Sequence, residues 1–165
     1  MMIRLLHRND AEEYQKHRLI ALKNHPSAFA SSYEEEKDRP SAVYGERFQS
    51  EDSFTFGAFE GDALIGSVTL FIESKWKLKH RANIFAMYVS PEKRKMGIGK
   101  QLLSVAIEKA KELNEIEQIY LTVEATNEAA KKLYHSFGFE TFGREKRALK
   151  IGDLYFDEEH MVLYL

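Results

Sequence analysis

The residues in this chain whose types and spacing most clearly suit chemistry are Arg94, Lys95, Gly97, Gly99 and Lys100, and the chemistry is anion binding. They lie between an apolar run, Ile84-Phe85-Ala86-Met87-Tyr88-Val89, and a segment in which Ile98, Leu102, Ala106, Ala110 and Leu113 recur at three and four. The first pattern is that of a strand and the second that of an amphipathic helix. A helix that starts here exposes backbone N–H groups with no intrahelical partner and roughly half a positive charge, a setting that attracts phosphate. Gly97 and Gly99 let a bulky diphosphate reach the backbone, and three cations surround it. Taken alone, the pair also fits a plain tight turn. Two familiar phosphate motifs do not fit: one residue separates the glycines and Gln101 follows Lys100, unlike a P-loop, and Leu102 stands where a dinucleotide fingerprint needs a third small residue.

A second segment changes the weight of the first. Downstream lie Leu121-Thr122-Val123-Glu124 and then Asn127-Glu128-Ala129-Ala130-Lys131-Lys132-Leu133-Tyr134-His135-Ser136-Phe137-Gly138-Phe139. Arg94-x-x-Gly97-x-Gly99 followed by Asn127-x-x-Ala130-x-x-Leu133-Tyr134-x-x-x-Gly138-Phe139 resembles the GNAT superfamily of acetyl-CoA-dependent N-acetyltransferases. The resemblance covers Ala63 to Phe139 by motif and the N-terminal third by its order of elements.

The resemblance implies acetyl-CoA as cofactor, CoA as product and an amine as acceptor, with the pantetheine arm lying where the strand ending at Val89 splays from the strand ending at Glu124. Carried over by position, the backbones of Met87, Tyr88 and Val89 face that arm. The loop Arg94, Lys95, Met96, Gly97, Ile98, Gly99 and Lys100 holds the pyrophosphate, and Asn127 hydrogen-bonds the pantetheine region. Acetyl transfer needs a neutral amine, stabilisation of a transient oxyanion and a proton for the departing thiolate. Tyr134 occupies the family's place for the acid, although its position on a helix stripe also suits a core aromatic. The oxyanion donor is, by analogy, the backbone N–H of Tyr88 or Val89. Glu73, His80 and Glu124 stand near ends of the framing strands as candidate bases. Glu73 is favoured because Glu73-Ser74 with Met87-Tyr88-Val89 resembles a bacterial branch of the family. Direct transfer is expected, since no serine or threonine carries a nucleophile signature. A CoA-binding sensor that kept the cradle without turnover is the alternative.

Other elements must position these groups. Met2 to Leu6 reads as a strand and Asn9-Asp10 as caps of a helix running to about Asn24, closed by Pro26. Ser27 to Pro40 is polar, and its Glu34-Glu35-Glu36 run reads as a solvated face; Ser41 to Gln49 adds a helical turn or two. Ser53 to Phe59 and Ala63 to Phe71 form a hairpin across Glu60-Gly61-Asp62. The basic link Ile72 to His80 carries Trp76, either core or the lining of a substrate mouth. Gln118 to Glu124 is a strand, Asn127 an N-cap and Gly138 a helix end. Phe139 to Arg144, with a short extension through Ala148 to Ile151, and His160 to Leu165 are the closing strands. The expected fold is α/β (α+β): one domain over residues 1–165, a mixed, mostly antiparallel sheet of about seven strands with helices on both faces, splayed between the fourth and fifth.

Composition sets limits on this reading. The chain has 165 residues, 44% hydrophobic and 30% charged, with a net charge of −2. Such a length suits one core, and the charge argues against a nucleic-acid partner. Without cysteine there is no thiolate chemistry, which suits a cytoplasmic setting. No membrane span or signal peptide is expected, and the six histidines show no metal-ligand spacing. The acceptor is read only as a small-molecule or peptide amine. The apolar end, Met161 to Leu165, is either buried or paired across a homodimer.

Overall fold

A computed structural model describes residues 1–165. Gly61, at φ 60°, makes the tight turn that joins β2 (Ser53–Glu60) to β3 (Ala63–Ile72), and the alternating side chains of both strands bury one row on each face. Before this hairpin come β1 (Met2–Leu5), α1 (Ala11–Asn24), α2 (Tyr33–Glu36) and α3 (Ala42–Arg47). After it come β4 (Arg81–Val89), α4 (Ile98–Glu112), β5 (Gln118–Glu124), α5 (Glu128–Ser136), β6 (Glu140–Ile151) and β7 (Leu154–Tyr164). All seven strands form one sheet in the order β1-β2-β3-β4-β5-β7-β6. Only β4 and β5 run parallel, because α4 carries the chain back between them. The mixed, mostly antiparallel seven-stranded sheet expected from the sequence is thus present.

Its two faces bury separate clusters. On one, Leu102, Leu103 and Ala106 of α4 pack on Val68, Leu70, Ile84, Ile119 and Leu121. On the other, Tyr14 of α1 meets Tyr44 and Phe48 edge-on, at ring-centre distances of 5.3 and 5.1 Å, above Leu6, Phe59 and Leu64.

Three expectations are corrected. The glutamate run is not one solvated face. Ser32 and Glu35 form a reciprocal capping box that starts α2, which turns Glu36 inward to only 4% exposure. There it accepts from Arg18 Nε at 3.0 Å, Arg39 Nη1 at 3.2 Å and the Tyr44 hydroxyl at 3.3 Å, the pairing a buried carboxylate requires. Trp76 is neither core nor cleft: it is 89% exposed, with Lys79 Nζ 5.6 Å from its ring centre. The closing strands are a long continuous hairpin, turned at Gly152, and their middle is polar on both faces, so no hydrophobic alternation marks it in the sequence. Asp157 braces the bulge there, accepting from Arg147 N at 2.9 Å and from Arg144 Nη2 at 2.9 Å. At the apolar end of the chain Met161 and Val162 are buried while Tyr164 and Leu165 are exposed, and β7 is paired on both sides, by β5 and β6, so it has no free backbone edge.

His17 of α1 is 5% exposed, its Nε2 has no partner, and its ring stands edge-on to Tyr88 at 5.1 Å. Burial pushes its pKa down to about 4. The unfolded chain, with an ordinary imidazole near 6.5, therefore takes up this proton first, and stability falls as pH drops from about 6.5 toward 4, by roughly 3 kcal/mol in all. Urea unfolding of parent and His17→Phe across that range is expected to show the acid loss in the parent and a flatter curve in the variant.

Candidate active site

The site begins where β4 and β5 stop pairing. They are bonded only through Arg81↔Gln118, Ala82↔Ile119 and Asn83↔Tyr120. Past that point β4 stays on β3 and β5 stays on β7, so the inner edges from Ile84 to Val89 and from Leu121 to Glu124 diverge without a strand between them. A bulge adds to the divergence: the β3–β4 register shifts between Ser67 and Thr69, and Ala86 takes a left-handed φ of 51°. The result is a cleft of about 1240 Å³ that passes between the strands and reaches both α4 and α5. Met87, Tyr88 and Val89 line it, as do Asn127 and Tyr134.

At one end lies the glycine loop. Lys95 at φ 63° and Gly97 at φ 79° put two left-handed residues just before α4, a form that turns successive N–H groups toward one concavity. The N–H groups of Ile98, Gly99 and Lys100 have no helical carbonyl to bond, and the ladder starts with Gln101 N donating to Gly97 O at 3.0 Å. A Cβ on Gly99 would lie 3.4 Å from both Met87 Cε and Leu133 Cδ2, so a larger side chain would fill the throat between β4 and α5. Lys95 and Lys100 line the cleft, while Met96 lies outside its lining and is 62% exposed. Lys93, not singled out from the sequence, also lines it and pairs with Glu60.

Arg94 also lines the cleft, and its side chain makes contacts of its own. Its Nε donates to Val89 O at 3.0 Å, its Nη2 meets His25 Nε2 at 3.2 Å, and its guanidinium lies 5.7 Å from the Tyr88 ring centre. The side chain thus ties the glycine loop to the segment after α1. Since guanidinium only donates, His25 Nε2 must accept; burial and then the charge of Arg94 lower the pKa of His25.

Asn127 lines the cleft and caps α5, its Oδ1 accepting from Ala130 N at 3.2 Å, which leaves its amide N–H₂ available. Tyr134 is buried against Phe139, with ring centres 5.9 Å apart, and also borders the cleft. Burial pushes its phenol up to about 12, well above the value near 10 that a free phenol has.

The candidate bases separate. Glu124 lines the cleft, but its Oε2 is held by Thr126 N at 2.9 Å and Thr126 Oγ1 at 2.6 Å. Glu73 and His80 lie outside the cleft lining, at the closed end of the strands, where Glu73 Oε1 accepts from Asn83 Nδ2 at 2.9 Å and His80 O accepts from Glu117 N at 2.8 Å. β3 passes the open part of the cleft before it reaches Glu73, which sets Glu73 and His80 apart from Glu124. The structure brings in Thr122, Glu158 and His160 instead. Burial, then Glu145, raises the pKa of Glu158, with Glu124 adding to the effect and His160 opposing it.

A family model described as the acetyltransferase (GNAT) family matches residues 12–139. The chain belongs to that family. N-alpha-acetyltransferase 30 of Xenopus laevis is 28% identical to it over 113 residues, which cover 67% of this chain and 40% of that protein. The chain therefore spans less than half the length of this curated relative. A solved structure of a probable acetyltransferase from Staphylococcus epidermidis shares 27% identity over 99% of this chain and 98% of its own, with a TM-score of 0.78. A putative acetyltransferase from Salmonella typhimurium, solved with its cofactor acetyl-CoA, reaches a TM-score of 0.86 at 20% identity, over 100% of this chain and 94% of its own.

Gly99→Val would place branched carbons between Met87 and Leu133 while leaving α4 able to form, since Gly99 is not among the residues at left-handed φ. Calorimetric titration with CoA is expected to show at least about tenfold weaker binding, in a protein whose unfolding temperature stays near the parent's. Unchanged affinity would remove the glycine loop from the binding site.

Proposed function

We propose that this chain is a single N-acetyltransferase domain that moves the acetyl group of acetyl-CoA directly to a primary amine of a small molecule, an amino acid or a peptide or protein terminus. The observation that carries this reading is the parting of β4 from β5 after Asn83 and Tyr120, with a nest of free N–H groups at one end of the gap and the Tyr134 hydroxyl at its side. The residues present fit the cofactor: Gly99 keeps the throat open, Ile98 to Lys100 offer unpaired donors to phosphate oxygens, and Lys95 and Lys100 supply positive charge. The matched relative's name, an N-alpha-acetyltransferase, favours a peptide α-amine among the acceptors.

Acetyl-CoA, when bound, supplies the acetyl group as a thioester. The β4 edge from Ile84 to Val89 offers main-chain hydrogen bonds to an extended amide-bearing chain, as a neighbouring strand would. Asn127 adds its free amide N–H₂. A backbone N–H of Tyr88 or Val89, in the parted half of β4, serves as donor to a developing oxyanion.

Tyr134 serves as a hydrogen-bond donor to the departing sulfur. With its phenol near 12 and a thiol near 8.5, complete proton transfer is uphill by about 5 kcal/mol, so the hydroxyl acts by stabilising developing charge and stays protonated.

Incubating the protein with acetyl-CoA and a panel of amines, and following thiol release, tests the reading; binding without release for every amine would instead mark a CoA sensor. Tyr134→Phe keeps the packing on Phe139 and removes the donor. Turnover is expected to fall by about 10²–10³ with CoA affinity and unfolding temperature near parental. Parental turnover in a stable Phe variant would exclude Tyr134 from the chemistry.

A further inference from the structure

Resting on the acetyltransferase reading, we propose that Thr122, His160 and Glu145 form a proton relay that takes the acceptor ammonium's proton. The three residues stand on the adjacent strands β5, β7 and β6. Thr122 lies directly across from His160, and Glu145 across from Glu158, two residues before His160 on β7. On β5, Leu121 and Val123 point into the α4 core, so Thr122 between them points to the opposite face, within the stretch that no longer pairs with β4. Thr122 and His160 both line the cleft.

One hydrogen bond and one ion-pair contact give the row a direction. His160 Nδ1 lies 3.1 Å from Thr122 Oγ1, and His160 Nε2 lies 3.4 Å from Glu145 Oε2. The Glu145 carboxylate beside Nε2 favours a proton on that nitrogen, which leaves the lone pair of Nδ1 toward the threonine hydroxyl. The ring is steadied against Phe142, with centres 6.0 Å apart. His25, the other histidine lining the cleft, is unsuited to this task because its Nε2 is committed to Arg94.

In the step, an N–H bond of the acceptor ammonium breaks and its electron pair stays on nitrogen. The proton passes to Thr122 Oγ1 as the hydroxyl's own proton moves to His160 Nδ1. The imidazolium so formed faces Glu145 and returns its proton to solvent. The product is a neutral amine ready to attack. Thr122 itself makes no bond to the acyl group. The other titratable groups bordering this face are Glu124 and Tyr120 of β5, the latter under Arg81 and against Phe142, Glu158 of β7, and His25 at the head of the Pro26–Ala28 turn that packs on β5 and β6.

The test uses Thr122→Val, His160→Gln and the double variant, with tetrapeptides bearing free α-amines, spermidine and tyramine as acceptors. At neutral pH each single variant is expected to lose about 10²-fold or more in turnover with parental acetyl-CoA affinity, and the double variant to lose no more than the worse single one, because a relay fails as a unit. The deficit is expected to close as pH rises through the acceptor's own titration, near 8 for an α-amine and above 10 for an alkylamine. Nitrogen-15 spectra of the free protein should show His160 protonated on Nε2. Multiplying losses, a deficit independent of pH, or the Nδ1-protonated tautomer would overturn the relay, as would parental turnover in the variants. An acetyl group found on Thr122 by mass spectrometry would replace it with a covalent route. If the parent binds acetyl-CoA but acetylates none of the acceptors, the transferase reading fails and the relay with it.

Discussion

Everything functional in this molecule depends on one unmet obligation of the backbone. A strand in the middle of a sheet normally satisfies donors and acceptors on both edges, but β4 has a partner on its β5 side only as far as Asn83. The chain does not close the gap itself: β5 is held by β7 on its other edge, β4 by β3, and a β3–β4 register shift with a left-handed Ala86 lies in the parted stretch. An extended ligand rich in amides is the natural way to meet that obligation. The packing beneath is what keeps the gap from collapsing: Met87 and Leu133 reach toward Gly99 from β4 and α5, and the absence of a side chain at Gly99 leaves the throat between them.

The gap is also electrically divided. Lys93, Lys95 and Lys100 border the end at the start of α4, whereas Glu124 and Glu158 border the β5–β7 side, with Glu145 next along the row. Opposite charges on the two sides of the cleft suit an anionic donor on one and a cationic acceptor on the other. Arg94 spans the two: it belongs in sequence to the phosphate loop, yet its side chain holds Val89 O and His25 and lies by the Tyr88 ring. The glycine loop is therefore mechanically linked to the wall built from the segment after α1.

Burial changes what individual groups can do. A phenol at the value of a free tyrosine could pass a proton to a thiolate with modest cost, whereas Tyr134, pushed to about 12, can mainly share one. Glu158 shifts in the same sense for a related reason, since burial and the neighbouring carboxylates of Glu145 and Glu124 all disfavour its charge. His17, buried without a partner for Nε2, holds stability rather than function hostage to acid.

By itself, the sequence determined what depends on local spacing. The helical stripe from Ile98, the glycines before it, the Asn127 cap and the Glu60-Gly61-Asp62 turn each follow from interactions among near neighbours, and all stand where that spacing put them. The apolar run that marked β4 began at Ile84, which is where its pairing with β5 has already ended, so even the splayed half of the strand was legible. Tertiary structure alone decided which of the remaining polar groups share the cleft. Glu73 and His80 are close in sequence to the right strands but lie at their closed ends. Thr122, His160 and Glu145 are scattered along the chain and meet only because β7 inserts between β5 and β6, an arrangement set by long-range pairing of a hairpin with no hydrophobic alternation to announce it. The same long-range packing turned Glu36 inward from a run of three like charges, because only the folded chain brings Arg18 and Tyr44 to meet it.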